Sequence, residues 1–313
     1  MAGTESAAGS GEPLVPGPEP IEHPLEADRL DGLLALSGAA GWNQAPEDWT
    51  TMLALGRGWG LSDPDGTLLA STVVLPYEAH PPGPGFAWVS MVLVLPAHRR
   101  RGLASRLLRS ALAWLENRGL TPFLDATPQG EPVYRREGFE PIGGFARLER
   151  AAAAAAGPMA AAPEGITLAP LQDAHWPALA ALDASAFGGR REPLLRSLAQ
   201  RQPALARVAL RGAEPMGFVL GRPGRVATQV GPLVCPDPAV AAALLDAALA
   251  AVPGRVFLDL PDAQQAFGAA VATRGFVAQR PFTRMLRPAP GAAPTPAPGD
   301  PSAIRLVAGP ELG

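Results

Sequence analysis

Apolar and polar positions in the first half of the chain alternate between helical and strand periods. Leu30, Leu33 and Leu34 recur at helical spacing, whereas the run GFAWVSMVLVL is almost continuously apolar, as is typical of a strand covered on both faces. An Asp-Gly pair at 65–66 separates two further strand patterns. The predicted elements are a helix over 25–42, strands over 56–78, 85–95 and 120–127, and helices over 103–119 and 130–139. This order predicts a layered α/β domain.

The second half of the chain repeats this order of elements. The stretch FLDATPQGEPVYRREGF (123–139) is echoed by FLDLPDAQQAFGAAVATRGF (257–276), with a strand ending in Phe-Leu-Asp, a helix and a Gly-Phe pair. The stretch VLPAHRRRGLASRLL (94–108) is echoed by VCPDPAVAAALL (234–245), once three residues of its Arg/Gly part are left out. The two halves therefore look like a duplicated domain, and only the first copy keeps the Arg/Gly part.

Three low-complexity runs divide the chain. Residues 1–18 are rich in Gly, Pro, Ser and Ala, a composition that predicts disorder. Residues 151–165 form an Ala/Pro/Gly-rich linker, and residues 289–313 form a Pro-rich tail whose apolar end is expected to dock on a domain. The predicted domains are therefore 19–150 and 166–288.

Composition and charge exclude several classes of protein. The formal net charge is -3, which argues against a general binder of nucleic acid. No apolar run reaches the roughly 18 residues of a membrane span, and the first residues do not resemble a secretory leader. One cysteine excludes an internal disulfide and a Cys-rich zinc site, and the histidines do not cluster, so no metal is expected. We expect a cytoplasmic protein, and its Arg, Ala, Gly and Pro bias suggests a bacterial source.

Residues 99–105, here called the Arg/Gly loop, lie between a predicted strand and a predicted helix. The first N–H groups of a helix lack partners and carry the positive end of its dipole. Gly102 and Ala104 leave room for a phosphate to approach these groups, and the arginines at 99–101 add charge-assisted contacts. The loop is therefore either a small anion site or a solvated basic turn. Its shortness and lack of aromatic residues argue against nucleic acid.

Two motifs in this half resemble those of the GNAT superfamily of N-acetyltransferases. Val94, Pro96, Arg99, Gly102 and Ala104 match V-x-P-x-x-[RQ]-x-x-G-x-[GA], the acyl-CoA motif of the superfamily. The stretch YRREGF at 134–139 matches its Y-x-x-x-G-F signature. The resemblance implies two tandem GNAT-like domains, each a mixed, mostly antiparallel sheet flanked by helices. Without the loop and the tyrosine, the second domain is expected to be degenerate and catalytically silent.

The resemblance also implies where acetyl-CoA binds. The strand that ends at Val94 would diverge from its neighbour and pair with the pantetheine arm, and the Arg/Gly loop would bind the pyrophosphate. Thr127 stands where many relatives carry a cofactor-contacting asparagine, so its role is open. The implied cofactor-binding residues are Val92, Leu93, Val94, Arg99, Arg100, Arg101, Gly102, Leu103, Ala104, Ser105, Thr127 and Tyr134.

Tyr134 falls where the family places the general acid that protonates the leaving thiolate; packing of the last helix is the structural alternative. Many relatives carry a glutamate on the strand before the loop, but this strand has no carboxylate. The candidates for the base are Glu78, which is favoured, His80 and Asp125. Ser90 could orient a water, and the alternative role of Asp125 is to cap the turn that follows it. The wall that binds the acceptor is assigned to Trp42, Asn43, Gln44 and Trp49, with burial in the core as the alternative for the two tryptophans.

The sequence thus favours an N-acetyltransferase that transfers an acetyl group from acetyl-CoA to a primary amine by direct attack in a ternary complex. The acceptor is expected to be a small molecule or a protein N-terminus. A non-catalytic acyl-CoA sensor or scaffold is the alternative. Neither nucleic acid nor membrane is expected as a partner, and a homo-oligomer is compatible with the sequence.

Overall fold

The computed structural model describes residues 19–152, 161–289, 291 and 299–313. The predicted disordered tail and most of the predicted linker lie outside these ranges. The first half contains strands β1 (Ile21–Leu25), β2 (Arg57–Ser62), β3 (Leu68–Ala79), β4 (Phe86–Val94), β5 (Thr121–Ala126) and β6 (Glu140–Arg150), and helices α1 (Leu30–Ala39), α2 (Pro46–Leu55), α3 (Leu103–Glu116) and α4 (Glu131–Arg136). These elements confirm the helices and strands predicted from the sequence of this half.

The second half repeats the pattern. It contains strands β7 (Ile166–Pro170), β8 (Gly189–Arg190), β9 (Arg207–Arg211), β10 (Glu214–Arg222), β11 (Thr228–Val234), β12 (Val256–Pro261), β13 (Val277–Leu286) and β14 (Ile304–Leu306), and helices α5 (Trp176–Phe187), α6 (Glu192–Arg201), α7 (Pro238–Leu249) and α8 (Gln265–Ala272). The Gly-Phe echo corresponds to a shared helix stop, because Gly138 and Gly275 both adopt positive φ, at 86° and 80°.

All strands belong to one mixed, mostly antiparallel arrangement. The 14-stranded sheet runs in the order β1-β2-β3-β4-β5-β13-β6-β12-β11-β10-β9-β7, with β14 paired to β11 and β8 to β3. The pairs β4–β5 and β11–β12 are parallel, and the other described pairs are antiparallel. This confirms the predicted fold class. The sequence did not predict that the two halves would share one sheet.

The halves also exchange their last strands. Strand β6 of the first half pairs with β12 of the second, and β13 of the second half pairs with β5 of the first. The exchanged strands pair with each other, and Phe145 stacks on Phe282 at their centre with ring centroids 4.9 Å apart. A local two-fold relation therefore passes between β6 and β13.

Two buried ion pairs hold the exchanged strands. Arg147 on β6 donates to Asp259 on β12 at 2.8 and 2.7 Å, and Arg284 on β13 donates to Asp125 on β5 at 2.9 and 3.0 Å. Each aspartate ends a Phe-Leu-Asp run, and each arginine lies two residues after the stacked phenylalanine. Asp125 therefore pairs across strands and does not cap the turn that follows it.

The helices cover the sheet from both sides. Helix α3 buries an apolar stripe that includes Leu107, Leu108 and Leu115 against strands β2–β5, and α7 does the same on strands β9–β12. On the other side, α1 and α2 join α5 and α6 in a single apolar cluster that spans both halves. Burial of this cluster ties the halves together.

We predict that Asp259→Ala lowers the free energy of unfolding by about 3–5 kcal/mol, because Arg147 would remain buried without its counter-ion. Urea unfolding followed by circular dichroism measures this change. Glu192→Ala is the matched control, since it removes an exposed ion pair with Arg196 and should cost no more than about 0.5 kcal/mol. Equal losses in the two variants would contradict the proposed importance of the buried pair.

Candidate active site

Strands β4 and β5 separate in the middle of the sheet. They pair only where Phe86–Trp88 faces Thr121–Phe123, so β4 has no partner on this side from Val89 onward. A bulge in β4 accompanies the separation, with Met91 at a φ of 52° and its carbonyl accepting a hydrogen bond of 2.8 Å from the Ser71 hydroxyl. The divergence that the family resemblance implies is therefore present.

The separation opens a groove of about 580 Å³ along the edge of β4. Its wall combines the exposed edge of a strand with the turn before α4 and the end of α1. The groove is lined by Ala39, Ala40, Trp42, Val92, Leu93, Val94, Arg99, Thr127, Pro128, Gln129, Gly130 and Arg280. Thr127 also shapes the turn, since its hydroxyl accepts a hydrogen bond of 3.2 Å from the Gly130 N–H.

The Arg/Gly loop borders the groove through Arg99, whose Nε donates to the Val94 carbonyl at 3.2 Å. Arg100 and Gly102 adopt positive φ, at 62° and 78°, and α3 begins at Leu103 without a side-chain cap. Leu103 itself is buried, so only its backbone is available to a ligand. The side chains of Arg99, Arg100 and Arg101 are exposed. An uncapped helix start beside three arginines can bind a phosphate or pyrophosphate.

The inner end of the groove continues into a smaller, partly enclosed cavity of about 30 Å³. Trp42, Val92, Thr127 and Arg280 line both spaces. The cavity is lined by Trp42, Gln44, Val89, Ser90, Met91, Val92, Asp125, Thr127, Tyr134, Arg147, Arg280, Phe282, Pro310 and Glu311. Its walls come from β4, β5, α4, the exchanged strands and the end of the chain.

Four buried polar atoms of the cavity wall have no hydrogen-bond partner among the described residues. They are Gln44 Oε1, Ser90 Oγ, Arg280 Nε and Glu311 Oε2. Buried polar atoms are normally bonded, and leaving one unbonded costs about 1–3 kcal/mol. Their concentration around one cavity indicates that a polar ligand or water binds there.

Tyr134 faces the same cavity. Its ring packs edge-on against Phe139 with centroids 6.0 Å apart, and a Cβ at Gly130 would lie 3.0 Å from it. The hydroxyl has no hydrogen-bond partner in the ranges that the structure covers. Burial raises the pKa of Tyr134 well above its ordinary value, so the phenol stays protonated at neutral pH. It can therefore donate a proton or a hydrogen bond within the cavity.

The end of the chain closes one side of the cavity. The Trp88 indole N–H donates to the Pro310 carbonyl at 3.1 Å, and the Tyr77 hydroxyl donates to the Leu312 carbonyl at 2.9 Å. Between these contacts, Glu311 is buried and forms an ion pair with Arg222 through one carboxylate oxygen. The other oxygen is the unpaired Oε2 of the cavity. Glu311 was not predicted as a site residue, because its only signal in the sequence is a carboxylate within the apolar segment at the chain end.

Only some of the residues proposed for the acceptor wall and the base line the cavity. Trp42, Gln44 and Ser90 line the cavity. Asn43 instead holds the 226–227 loop of the second half through three hydrogen bonds of 2.8–3.0 Å. Trp49 is fully buried in the core, and Glu78 is exposed on β3 outside the cavity. The carboxylates that line the cavity are Asp125 and Glu311, and both oxygens of Asp125 are bound by Arg284.

Comparison with known families accounts for both halves. Two family models, each described as an acetyltransferase (GNAT) domain, match residues 23–142 and 179–295. Together the matches span more than half of the chain. The chain belongs to the GNAT acetyltransferase superfamily. It carries two GNAT domains in tandem, as the sequence predicted, and its family indicates acyl transfer.

Several relatives share this architecture. The uncharacterized N-acetyltransferase YitH of Bacillus subtilis (strain 168) is 24% identical over 255 residues, which are 80% of this chain and 86% of that protein. A structure from Pyrococcus horikoshii, classed as an acetyltransferase, superposes with a TM-score of 0.74 at 18% identity, covering 98% of this chain and 100% of that one. A tandem GNAT protein from the clavulanic acid biosynthesis pathway gives a TM-score of 0.61 at 18% identity, over 88% and 100% of the two chains. The solved structures support the fold.

In the second GNAT domain the corresponding groove is filled by the chain itself. Strands β11 and β12 pair only over Thr228–Val230, and β14 pairs with β11 where the two separate. The next residue, Val307, donates its N–H to the Asp259 carbonyl on β12 at 3.0 Å. The start of α7 is capped by the carboxylate of Asp237, which accepts from the N–H groups of Ala239 and Val240. This GNAT domain therefore offers neither an open groove nor a free helix start. Within the described ranges, no helix is long and apolar enough to cross a membrane.

The protonation of the two tyrosines as a function of pH tests whether Tyr134 is buried at the cavity. Burial raises the pKa values of Tyr77 and Tyr134, so both stay neutral in the fold at a pH where an unfolded tyrosine, with a pKa of about 10, ionises. We predict little phenolate absorbance in the native protein above pH 10, with a rise only on unfolding. Stability should fall as the pH rises beyond about 10, since only the unfolded state releases these protons there.

Alkaline titration of Tyr77→Phe isolates Tyr134, because the chain has only two tyrosines. Tyr134→Phe is the matched control. Reversible ionisation of Tyr134 near its ordinary pKa, in the folded protein, would contradict its burial.

Proposed function

We propose that the first GNAT domain transfers an acetyl group from acetyl-CoA to a primary amine. The observation that supports the proposal is that the groove and the cavity form one continuous path. The groove leads from Arg99 of the Arg/Gly loop, along the free edge of β4, to a cavity lined by Tyr134 and by four residues with unpaired polar atoms. A long ligand with a phosphate at one end and a reactive group at the other fits such a path.

Each part of the path has a role in binding the acyl-CoA. The first N–H groups of α3 and the arginines at 99–101 bind the pyrophosphate. The edge of β4 at Val92–Val94, which has no partner strand on the β5 side, binds the amides of the pantetheine arm, as an added strand would. The thioester then lies at the inner end of the groove, beside Tyr134. Binding both substrates there converts the reaction into a step within one complex.

The chemical step requires several proton transfers. The neutral amine nitrogen attacks the thioester carbonyl carbon, the carbon–sulfur bond breaks, and the thiolate takes a proton from Tyr134. The nitrogen of the new amide releases its extra proton, which restores the Tyr134 phenol through water. Before attack the amine must lose a proton; a lysine-like amine is neutral in only about one molecule in a thousand at pH 7, a cost of roughly 4 kcal/mol. Glu311 Oε2, directly or through water, is the proposed acceptor of that proton. It replaces the exposed Glu78 in this role.

A non-catalytic acyl-CoA sensor is the rival function. A sensor needs the groove but has no use for a polar cavity beyond it. The unpaired atoms beside Tyr134 therefore favour the transferase. Turnover of acetyl-CoA across a panel of amines distinguishes the two, because a sensor binds acetyl-CoA and releases no free CoA when amines are added.

We predict that Tyr134→Phe lowers kcat by about 10²-fold or more, because the thiolate loses its proton donor. Release of the free thiol measures the rate, and calorimetry with CoA measures binding, which should stay within about 2-fold because the ring and its packing remain. Thr121→Ser, at the far end of β5, is a control for a small change in the same sheet. An unchanged rate at every pH would remove Tyr134 from the mechanism.

We predict that the double variant Arg99→Glu/Arg101→Glu weakens CoA binding by at least 10-fold, since both exposed arginines border the proposed pyrophosphate site. The effect should shrink as salt is raised. Arg207→Glu/Arg211→Glu, on β9 of the second domain, makes the same change in net charge away from the loop. Calorimetric affinities that match in the two double variants would sink the assignment of the loop.

A further inference from the structure

Arg280 is a cation without a counter-ion at the catalytic cavity. It lies on β13, the exchanged strand of the second GNAT domain, and lines both the cavity and the inner groove. Its Nε is buried and unbonded, and no carboxylate of the described residues lies within ion-pair distance. Its guanidinium packs over the ring of Phe282, 4.9 Å from the centroid.

The other charges around the cavity are balanced. Asp125 is paired with Arg284, Arg147 with Asp259, and Glu311 with Arg222. Burial and the nearby Arg147 lower the pKa of Arg280, and the carboxylates of Asp259 and Glu311, which raise it, only partly offset this. The cavity therefore carries one excess positive charge, and it favours a ligand with a negative group.

The position of Arg280 indicates which ligand supplies that group. The proposed pyrophosphate site is at the Arg99 end of the groove, whereas Arg280 is at the end shared with the cavity. The pantetheine arm and the thioester carry no charge. An anion that reaches Arg280 therefore belongs to the acceptor, and a carboxylate fits the planar fork of a guanidinium.

The same cavity also offers groups that accept hydrogen bonds from an amine. Three acceptor atoms are buried and unbonded: Gln44 Oε1 on the α1–α2 connection, Ser90 Oγ on β4 and Glu311 Oε2 at the end of the chain. An ammonium has three N–H donors and no acceptor. The wall therefore provides acceptors for an amine on some sides and a donor for a carboxylate on another.

We infer that the acceptor is a small amine that also carries a carboxylate, an amino acid in the broad sense, and that Arg280 binds that carboxylate. The inference rests on the proposed function, because only a transferase has an acceptor. Binding of the carboxylate to Arg280, however, does not require turnover. The second GNAT domain would thus determine the specificity of the first. The cavity of about 30 Å³ holds only one end of such a ligand, and the rest lies in the groove, which Arg280 also lines.

The test measures binding and turnover separately. Wild-type protein saturated with CoA is titrated calorimetrically with the standard L-amino acids, β-alanine and γ-aminobutyrate, and with the carboxamide of each. We expect at least one acid to bind at least 10-fold more tightly than its amide, and Arg280→Gln to abolish that difference. Arg280→Lys should keep part of it, because lysine retains the charge without the planar fork. Arg211→Gln, an exposed arginine on β9, is the control for loss of one charge.

Several outcomes decide the inference. Equal affinities for acids and amides, binding of amides alone, binding of no acid in the panel, or a preference that survives in Arg280→Gln would each overturn it. In turnover assays Arg280→Gln should raise KM for the acid acceptor and leave KM for acetyl-CoA unchanged; the reverse pattern would assign Arg280 to the cofactor. Arg280-dependent binding of an acid without acetylation of any amine would retain the inference and overturn the transferase.

Discussion

Two buried arginine–aspartate pairs are the constraint on which the rest of the structure depends. Arg147 with Asp259, and Arg284 with Asp125, hold the last strand of each GNAT domain in the sheet of the other. Because β13 replaces β6 beside β5, the cavity of the first domain takes Arg280 and Phe282 from the second. Neither domain could form this cavity alone.

The end of the chain accounts for a difference between the two GNAT domains, one of which has a filled groove and the other an open groove. The same segment pairs with β11 in the groove of the second domain and then closes the cavity of the first with Pro310 and Glu311. The second domain also caps its own helix with Asp237, while the first leaves the start of α3 free at Gly102. One groove is thus filled and capped, and the other is open and positively charged.

Features that depend on neighbouring residues could be predicted from the sequence, and features that depend on contacts between distant residues could not. Local patterns were enough for most helices and strands of the first half and for the strand–loop–helix order around the Arg/Gly loop, because helical periodicity and loop motifs depend on neighbouring residues. Strands β1 and β6 were not predicted. Asp125 was expected to cap a local turn, but its partner is 159 positions away. Arg280 and Glu311 reach the cavity only through strand exchange and docking of the chain end, and no local pattern encodes either event. Asn43 was assigned to the acceptor wall for its polarity, but its polarity serves the contact with the second domain.

The second domain has a physical role at this site, because the α1–α2 connection and the chain end, two parts of the cavity wall, are attached to it. The connection that carries Trp42 and Gln44 is held by Asn43 and by Arg225, whose guanidinium donates to the Trp42 carbonyl at 2.7 Å. Arg222 binds both Asp48, at the start of α2, and Glu311. Removing the second domain would leave these charges unpaired and release the α1–α2 connection and the chain end together. The filled groove of the second domain therefore does not make that domain dispensable, since the geometry of the open site depends on it.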